Sequence, residues 1–206
     1  MENRRLVPTK SFALQKAGRI VEYLLPEEIC RIIETLKEER NGERNVLLIL
    51  TLFETGLRIS EALSLTPKKI DRYNGGYVLH IIGKGNKPRT VACPEELANR
   101  LKAYAYEKNL TPDSRFWKFN RTRAWQIIKE ASRKAGITKR VYPHLFRHSD
   151  AIERLRQTGN PRALQHHLGH SSMMMTMRYL STLQEEDSLR IQQEVKFNRI
   201  YENERD

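Results

Sequence analysis

The stretch that decides the reading is 143-PHLFRHSDAIERLRQTGNPRALQHHLGHSSMMMTMRY-179. Pro143 suits the first turn of a helix, where its missing N–H is no loss, and the run to about residue 157 is closed by Gly159. Asn160-Pro161 opens a short helix ended by Gly169, and Ser171 or Ser172 caps a last helix that carries Tyr179. Residues three apart on a helix share a face, so His144 and Arg147 point the same way. Tyr179 lies nine positions beyond His170. A tyrosine hydroxyl, with its pKa about 10, is a poor nucleophile at neutral pH. It needs cations that favour the phenolate and stabilise charge growing on a phosphate, which two arginines do best by forking onto non-bridging oxygens. A lysine or histidine can protonate the leaving 5′ oxygen, and another histidine can take the tyrosine proton. The residues therefore point to covalent attack on a phosphodiester. The resulting 3′-phosphotyrosyl link would keep the bond energy, so rejoining needs neither ATP nor a metal, and no cofactor is expected.

Toward the N-terminus, a helix is predicted from Pro26-Glu27-Glu28, with Ile29, Ile32, Ile33 and Leu36 on one face and Asn41-Gly42 at its end. Residues 46–53 (VLLILTLF) are apolar on nearly every side, as in a central buried helix. Gly56 breaks it and Arg58 follows at the start of another helical run. A buried unpaired Arg58 would be costly, so an ion pair with Glu54 or Glu61 is one outcome and a ligand is another. From Asp71 the period changes: 77–82 and 89–93 read as two strands of a β-hairpin, with Gly83-Lys84-Gly85 at the turn. Lys84, between two glycines, has little to pack against. Pro94 opens a helix to about residue 108. Asn120 caps another from 121 to about 135, ended by Gly136, whose Arg121, Arg123, Lys129 and Arg133 suit a phosphate backbone. The fold class is mainly α with a small antiparallel β-hairpin or sheet (α+β).

The chain has 37 Lys+Arg against 25 Asp+Glu, a formal +12. Residues 1–25 carry net +3 and 183–206 net −3, so 26–182 holds the full +12. The folded middle, rather than a tail, is the cationic object, and an anionic partner, nucleic acid first, is implied. Three parts are expected: a basic arm or linker over 1–25, a domain over 26–182, and an amphipathic tail helix over 183–206 with Leu183, Leu189, Val195 and Phe197 among charges. Cys30 and Cys93 alone make no disulfide framework. No apolar run approaches the ~20 residues that span a bilayer, and 1–25 lacks a signal-peptide pattern. A cytoplasmic protein is expected, associated with the nucleoid if DNA is its partner.

The motifs Thr55-Gly56-Leu57-Arg58-Ile59-Ser60-Glu61, Gly83-Lys84-Gly85, Pro143-His144-Leu145-Phe146-Arg147-His148 and Leu168-Gly169-His170 with Tyr179 resemble, in order and spacing, the tyrosine recombinase (phage integrase and Xer-like) family. The resemblance covers roughly 26–182. It implies the tyrosine recombinase catalytic-domain fold and site-specific DNA recombination: integration, excision, inversion or resolution. Carried over position by position, Arg58 and Arg147 would clamp the scissile phosphate and Lys84 would protonate the leaving 5′ oxygen. His144 would act as base or acid, His170 would hydrogen-bond the phosphate, and Tyr179 would be the nucleophile. Glu61 would support the first arginine. The family's partners would be double-stranded DNA with a specific recombination site, further copies of the chain (dimer to tetramer) on that DNA, and accessory DNA-bending proteins, with no membrane. The segment after the nucleophile would dock on a neighbouring subunit or on its own domain.

The sequence departs from the family in three places. Only about 25 residues precede the catalytic region, where members usually carry a core-binding domain that closes a clamp round the duplex; the short fimbrial-switch recombinases share this feature. Asp150 stands where an aromatic is common, and Met173-Met174-Met175 is an unusual run. The alternatives are a DNA-binding regulator of the same fold with weak or no cleavage, and type IB topoisomerase-like relaxation. Zinc is a further rival, since His144 and His148, and His166 and His170, stand at i,i+4. The metalloprotease Glu is missing after His144, which leaves the metal assignment at none.

Overall fold

The computed structural model describes residues 21–83 and 85–193. Helix α1 (Pro26–Lys37) begins at the expected proline and buries Ile29, Ile32 and Leu36. Helix α2 (Gly42–Thr55) takes Gly42 as its first residue rather than as the stop of α1. It is buried along most of its length, as its all-round apolar run predicts, and packs against α1 and α6 (Pro143–Thr158). Gly56 closes it in the left-handed conformation, φ +58°. A one-turn helix α3 (Ile59–Ala62) follows directly, so Arg58 leaves the end of the central helix.

The sheet has three antiparallel strands in the order β1 (Ile70–Tyr73), β2 (Gly76–Ile82), β3 (Pro88–Cys93). Tyr77 pairs with Cys93 and Ile82 with Pro88, which is the expected hairpin. Strand β1 adds to it through Ile70 opposite Leu79. It escaped the sequence reading because only Ile70 of its four residues is buried, so no alternation marks it. Helix α4 (Glu95–Glu107) covers the sheet. In α5 (Arg121–Lys134), Asn120 Oδ1 accepts from the Arg123 N–H at 2.9 Å, the predicted cap.

The decisive stretch folds as three helices: α6, α7 (Pro161–Leu168) and α8 (Met173–Gln193). Asn160 Oδ1 caps α7 by accepting from the Ala163 N–H at 3.0 Å, and the Ser172 hydroxyl accepts from the Met174 N–H at the start of α8. These helices enclose a second apolar cluster, separate from the main core, of Tyr23, Ala151, Ile152, Leu155, Leu164, Leu168, Tyr179 and Leu183. Tyr179 is thus fixed by burial.

Two boundaries differ from the sequence reading. Residues 21–25 of the expected arm lie packed on α6 and α8. The Leu24 N–H donates to Ser149 Oγ at 2.7 Å, the Val21 N–H donates to Thr182 Oγ1 at 3.0 Å, and the Tyr23 hydroxyl bonds the Glu186 carboxylate at 2.8 Å. The tail expected from 183 is, as far as Gln193, an unbroken continuation of the helix that bears Tyr179, with Leu183 buried on its own domain. Val195 and Phe197 lie outside the described residues. No helix among the described residues is long and apolar enough to cross a membrane.

Candidate active site

Arg58, His144, Arg147, His170 and Tyr179 line one cavity of about 540 Å³, together with Tyr142, His148, Met175, Arg178 and residues 21 and 22. They arrive there from three separate elements: the exit of α2, one face of α6, and the α7–α8 corner. Cationic and imidazole groups dominate the lining, and Glu22 is its one carboxylate among the described residues. Such a cavity favours an anion over any neutral ligand.

Arg147 is the deepest of these groups, 1% exposed. Its two terminal nitrogens donate to the Gly56 carbonyl at 2.5 Å and the Leu168 carbonyl at 2.7 Å. One guanidinium thereby ties the end of α2 to the end of α7. Its Nε is buried and has no hydrogen-bond partner among the described residues. Burial pushes its pKa down to about 10, with the neighbouring Arg58 acting in the same direction, so the guanidinium stays charged at neutral pH. The turn that accepts its hydrogen bond requires glycine. A Cβ on Gly56 would collide with the Asp150 carboxylate and stand 2.8 Å from Leu168.

Arg58 reaches the cavity mouth and donates from Nη1 to Glu61 Oε1 at 3.0 Å, while its backbone N–H donates to Glu61 Oε2 at 2.7 Å. Of the two ion-pair partners open from the sequence, Glu61 is therefore the one found. Glu61 is 4% exposed, and its second partner was not foreseen: Arg89 of β3 donates to Oε2 at 2.8 Å and, from its other arm, to the His167 carbonyl at 2.7 Å. Arg89 sits so close to α7 that a Cβ on Gly169 (φ +64°) would be 2.9 Å from its Cδ. The sheet is thus clamped to both the Arg58 turn and the His170 corner. Arg89 has no sequence signal of its own, because its partners lie 28 and 78 residues away.

The turn between β2 and β3 stands beside this clamp. A Cβ built on Gly83 would stand 3.7 Å from Glu61 Oε1 and from Arg89 Nε, and the Gly83 N–H donates to the Lys87 carbonyl at 2.8 Å. Lys84, the expected leaving-group acid, falls outside the described residues.

Tyr179 is 4% exposed, and its ring stacks on His170 with centroids 6.2 Å apart and planes 15° apart. Nδ1 of His170 is itself engaged by Thr176 Oγ1 at 2.9 Å. The Tyr179 hydroxyl lies 2.8 Å from His148 Nδ1. Burial raises the pKa of the phenol, with Arg147 opposing, so the hydroxyl is held protonated. Burial, reinforced by nearby arginines, lowers the pKa of His144, and it takes His170 down to about 4. Both imidazoles are neutral at pH 7. The imidazole that touches the tyrosine oxygen is His148, for which the sequence offers only a place in the Pro143–His148 motif and in a candidate zinc pair.

Asp150, at the unusual position, is buried behind the Gly56 turn and pairs with Arg154 Nε at 2.6 Å. On α5, Arg121, Arg123, Lys129 and Arg133 are all exposed, and none lines the cavity. Lys129 sits over the Trp125 ring at 5.0 Å.

The sequence model described as "Phage integrase family" matches residues 22–186. A tyrosine recombinase of Pseudothermotoga lettingae is 30% identical over 172 residues, covering 82% of this chain and 59% of its own length. Tyrosine recombinase XerA of Pyrococcus furiosus is 34% identical over 166 residues, covering 76% of this chain and 56% of its own. The chain therefore spans less than three fifths of these curated relatives. Among solved structures, the XerA recombinase superposes with a TM-score of 0.68 at 28% identity, covering 86% of this chain and 67% of that one. The catalytic domain of bacteriophage HP1 integrase gives 0.63 at 26%, covering 79% and 88%. The XerH site-specific recombinase bound to difH substrate, described as a pre-cleavage complex, gives 0.69 at 27%, covering 78% and 51%.

Proposed function

Because the chain belongs to the phage integrase family of tyrosine recombinases, we propose that it cuts and rejoins DNA strands at a specific site through a 3′-phosphotyrosyl intermediate. The observation that carries this reading is the convergence of Arg58, Arg147, His144, His170 and Tyr179 on one cationic cavity. In the reaction, Tyr179 Oη attacks phosphorus, a P–O(tyrosine) bond forms, and the bond to the 5′ oxygen breaks. The phenolic proton passes to an imidazole, His144 in this assignment, and Lys84 supplies the proton that the departing 5′ oxygen requires. Arg58 and Arg147 hold the non-bridging oxygens and offset the charge that builds on them, with His170 adding a hydrogen bond. Glu61 keeps Arg58 at the cavity mouth. Attack by a 5′-hydroxyl of another strand reverses the steps and completes the exchange, without ATP or a metal.

The position of Gly83 beside Glu61 supports Lys84 as the acid, since its neighbour in sequence already stands next to the Arg58 pair. The exposed Arg121, Arg123, Lys129 and Arg133 of α5 are assigned to the DNA backbone; removing each should weaken binding evenly across sequences and flatten its salt dependence. Exchange between two duplexes requires more than one active site, so dimers to tetramers form on the DNA, with DNA-bending proteins as accessory partners. The stretch before residue 21 then serves as a basic arm or linker, 26–182 together with the packed residues 21–25 as the catalytic unit, and the exposed face of α8 around Leu189 as a subunit contact. The test is a pool of nicked duplexes of random sequence, in which cleavage opposite the nick releases a short strand and traps the protein on DNA. A denaturant-resistant protein–DNA band is expected, and its absence overturns the proposal.

A further inference from the structure

The hydroxyl of Tyr179 has one hydrogen-bond partner among the described residues, Nδ1 of His148 at 2.8 Å. His148 lies one helical turn after His144 on α6, and its ring is wedged between two others. Its centroid is 4.5 Å from that of His144, edge-on at 75°, and 5.6 Å from that of Tyr179. With His170 stacked on the phenol, the tyrosine ring is held by one imidazole and its oxygen by another.

The direction of that hydrogen bond follows from the surroundings. Burial, together with His144, Arg147, Arg178 and His170 around it, pushes His148 down to about 3, so at neutral pH the imidazole is uncharged. A neutral imidazole has one donor and one acceptor nitrogen. A neutral phenol and a neutral imidazole can pair either way, but the phenol is the better donor and the imidazole nitrogen the better acceptor, so we assign the phenol as donor, Nδ1 as acceptor and the ring hydrogen to Nε2. With its proton turned to His148, the tyrosine oxygen has its lone pairs free for the rest of the cavity.

Resting on the reading of Tyr179 as nucleophile, we propose that His148 is a positioning residue, an uncharged hydrogen-bond acceptor that aims the Tyr179 oxygen at the phosphate bound by Arg58 and Arg147. It aims the phenol and need not take its proton; that step stays with His144. Orientation of this kind is worth large factors in rate, since a misplacement of about 1 Å can cost about a hundredfold.

Two variants separate aiming from proton abstraction. His148→Asn offers an amide oxygen near the position of Nδ1 and accepts a hydrogen bond, but is no base. His148→Leu has neither property. The first readout needs no DNA: in protein labelled at tyrosine Cζ, the NMR resonance absent from Tyr179→Phe should move in the leucine variant and stay near its parent position in the asparagine variant. The second is the rate of adduct formation on random-sequence nicked duplexes with a sulfur in the bridging 5′ position. The thiolate leaves without a proton, so Lys84→Ala is rescued on this substrate and only nucleophile-side defects remain. Adduct formation should fall about ten- to hundredfold in the leucine variant and stay within severalfold of the parent in the asparagine variant. A leucine variant that matches the parent in either readout, or an asparagine variant as slow as leucine, overturns the proposal. If the parent itself forms no adduct, the assignment of function fails, and the NMR shift alone decides whether His148 holds the hydroxyl.

Discussion

Replacing Glu61 by alanine removes one carboxylate and loosens three connections. Glu61 accepts from the Arg58 backbone N–H at 2.7 Å, from Arg58 Nη1 at 3.0 Å and from Arg89 at 2.8 Å. Removing one partner of a buried ion pair leaves the other charge uncompensated, at about 3–5 kcal/mol. Arg58 is about a third exposed, and water will screen its share. Arg89 is 14% exposed, already has an unpartnered Nε, and would keep only the His167 carbonyl. The lower end of the range, about 3 kcal/mol, therefore applies. For a domain of this size, each kcal/mol moves the melting temperature by about 2–4 °C, so a fall of about 6–12 °C is expected in thermal unfolding followed by circular dichroism. Glu61→Gln retains the shape and one acceptor oxygen and should fall by less. Sulfate, which can sit between the unpaired arginines, should raise the melting temperature of the alanine variant more than that of the parent. An alanine variant that melts within about 2 °C of the parent would refute the idea that this carboxylate joins the Arg58 turn to the sheet.

Further expectations concern the frame around the cavity. Gly56→Ala places a Cβ against Asp150 and Leu168 in a left-handed backbone, and urea unfolding should show a loss of about 2–4 kcal/mol. His148 and His170 have folded pKa values depressed to about 3 and about 4, and His144 is depressed as well. Folded protein then binds fewer protons than unfolded, so their contribution is fully present above the ordinary histidine pKa of about 6.5 and is lost as pH falls toward 4. Urea midpoints should drop between about pH 7 and about pH 4.5, and less steeply in His170→Asn. Tyr23→Phe removes the hydroxyl that Glu186 and Arg156 share, and should lower stability by about 1–2 kcal/mol in the same assay.

The helices around the site were legible because glycines and caps punctuate them. Gly56, Gly159 and Gly169 all take left-handed φ, and Asn120 and Asn160 cap where their sequence suggests. The site was legible as far as its residues sit at fixed short spacings, as His144 and Arg147 do. Arg89 and β1 were not, because one works through contacts far along the chain and the other buries a single side chain. His148 was visible as a residue but not as a partner of Tyr179: the two are 31 positions apart, and only the crossing of α6 and α8 makes their atoms meet. The break expected near 183 failed for a related reason. Charge composition changes there, yet Leu183 still packs on the cluster that holds Tyr179, and the helix runs on.

Peptide mapping of the trapped adduct shows whether Tyr179 becomes the covalent link to DNA. After nuclease and trypsin digestion, mass spectrometry should find a nucleotide remnant on the peptide that begins after Arg178, with the modification on Tyr179, and Tyr179→Phe should give no adduct. A remnant on Tyr142 or Tyr201, or an adduct that persists in the phenylalanine variant, would mean that Tyr179 is not the nucleophile.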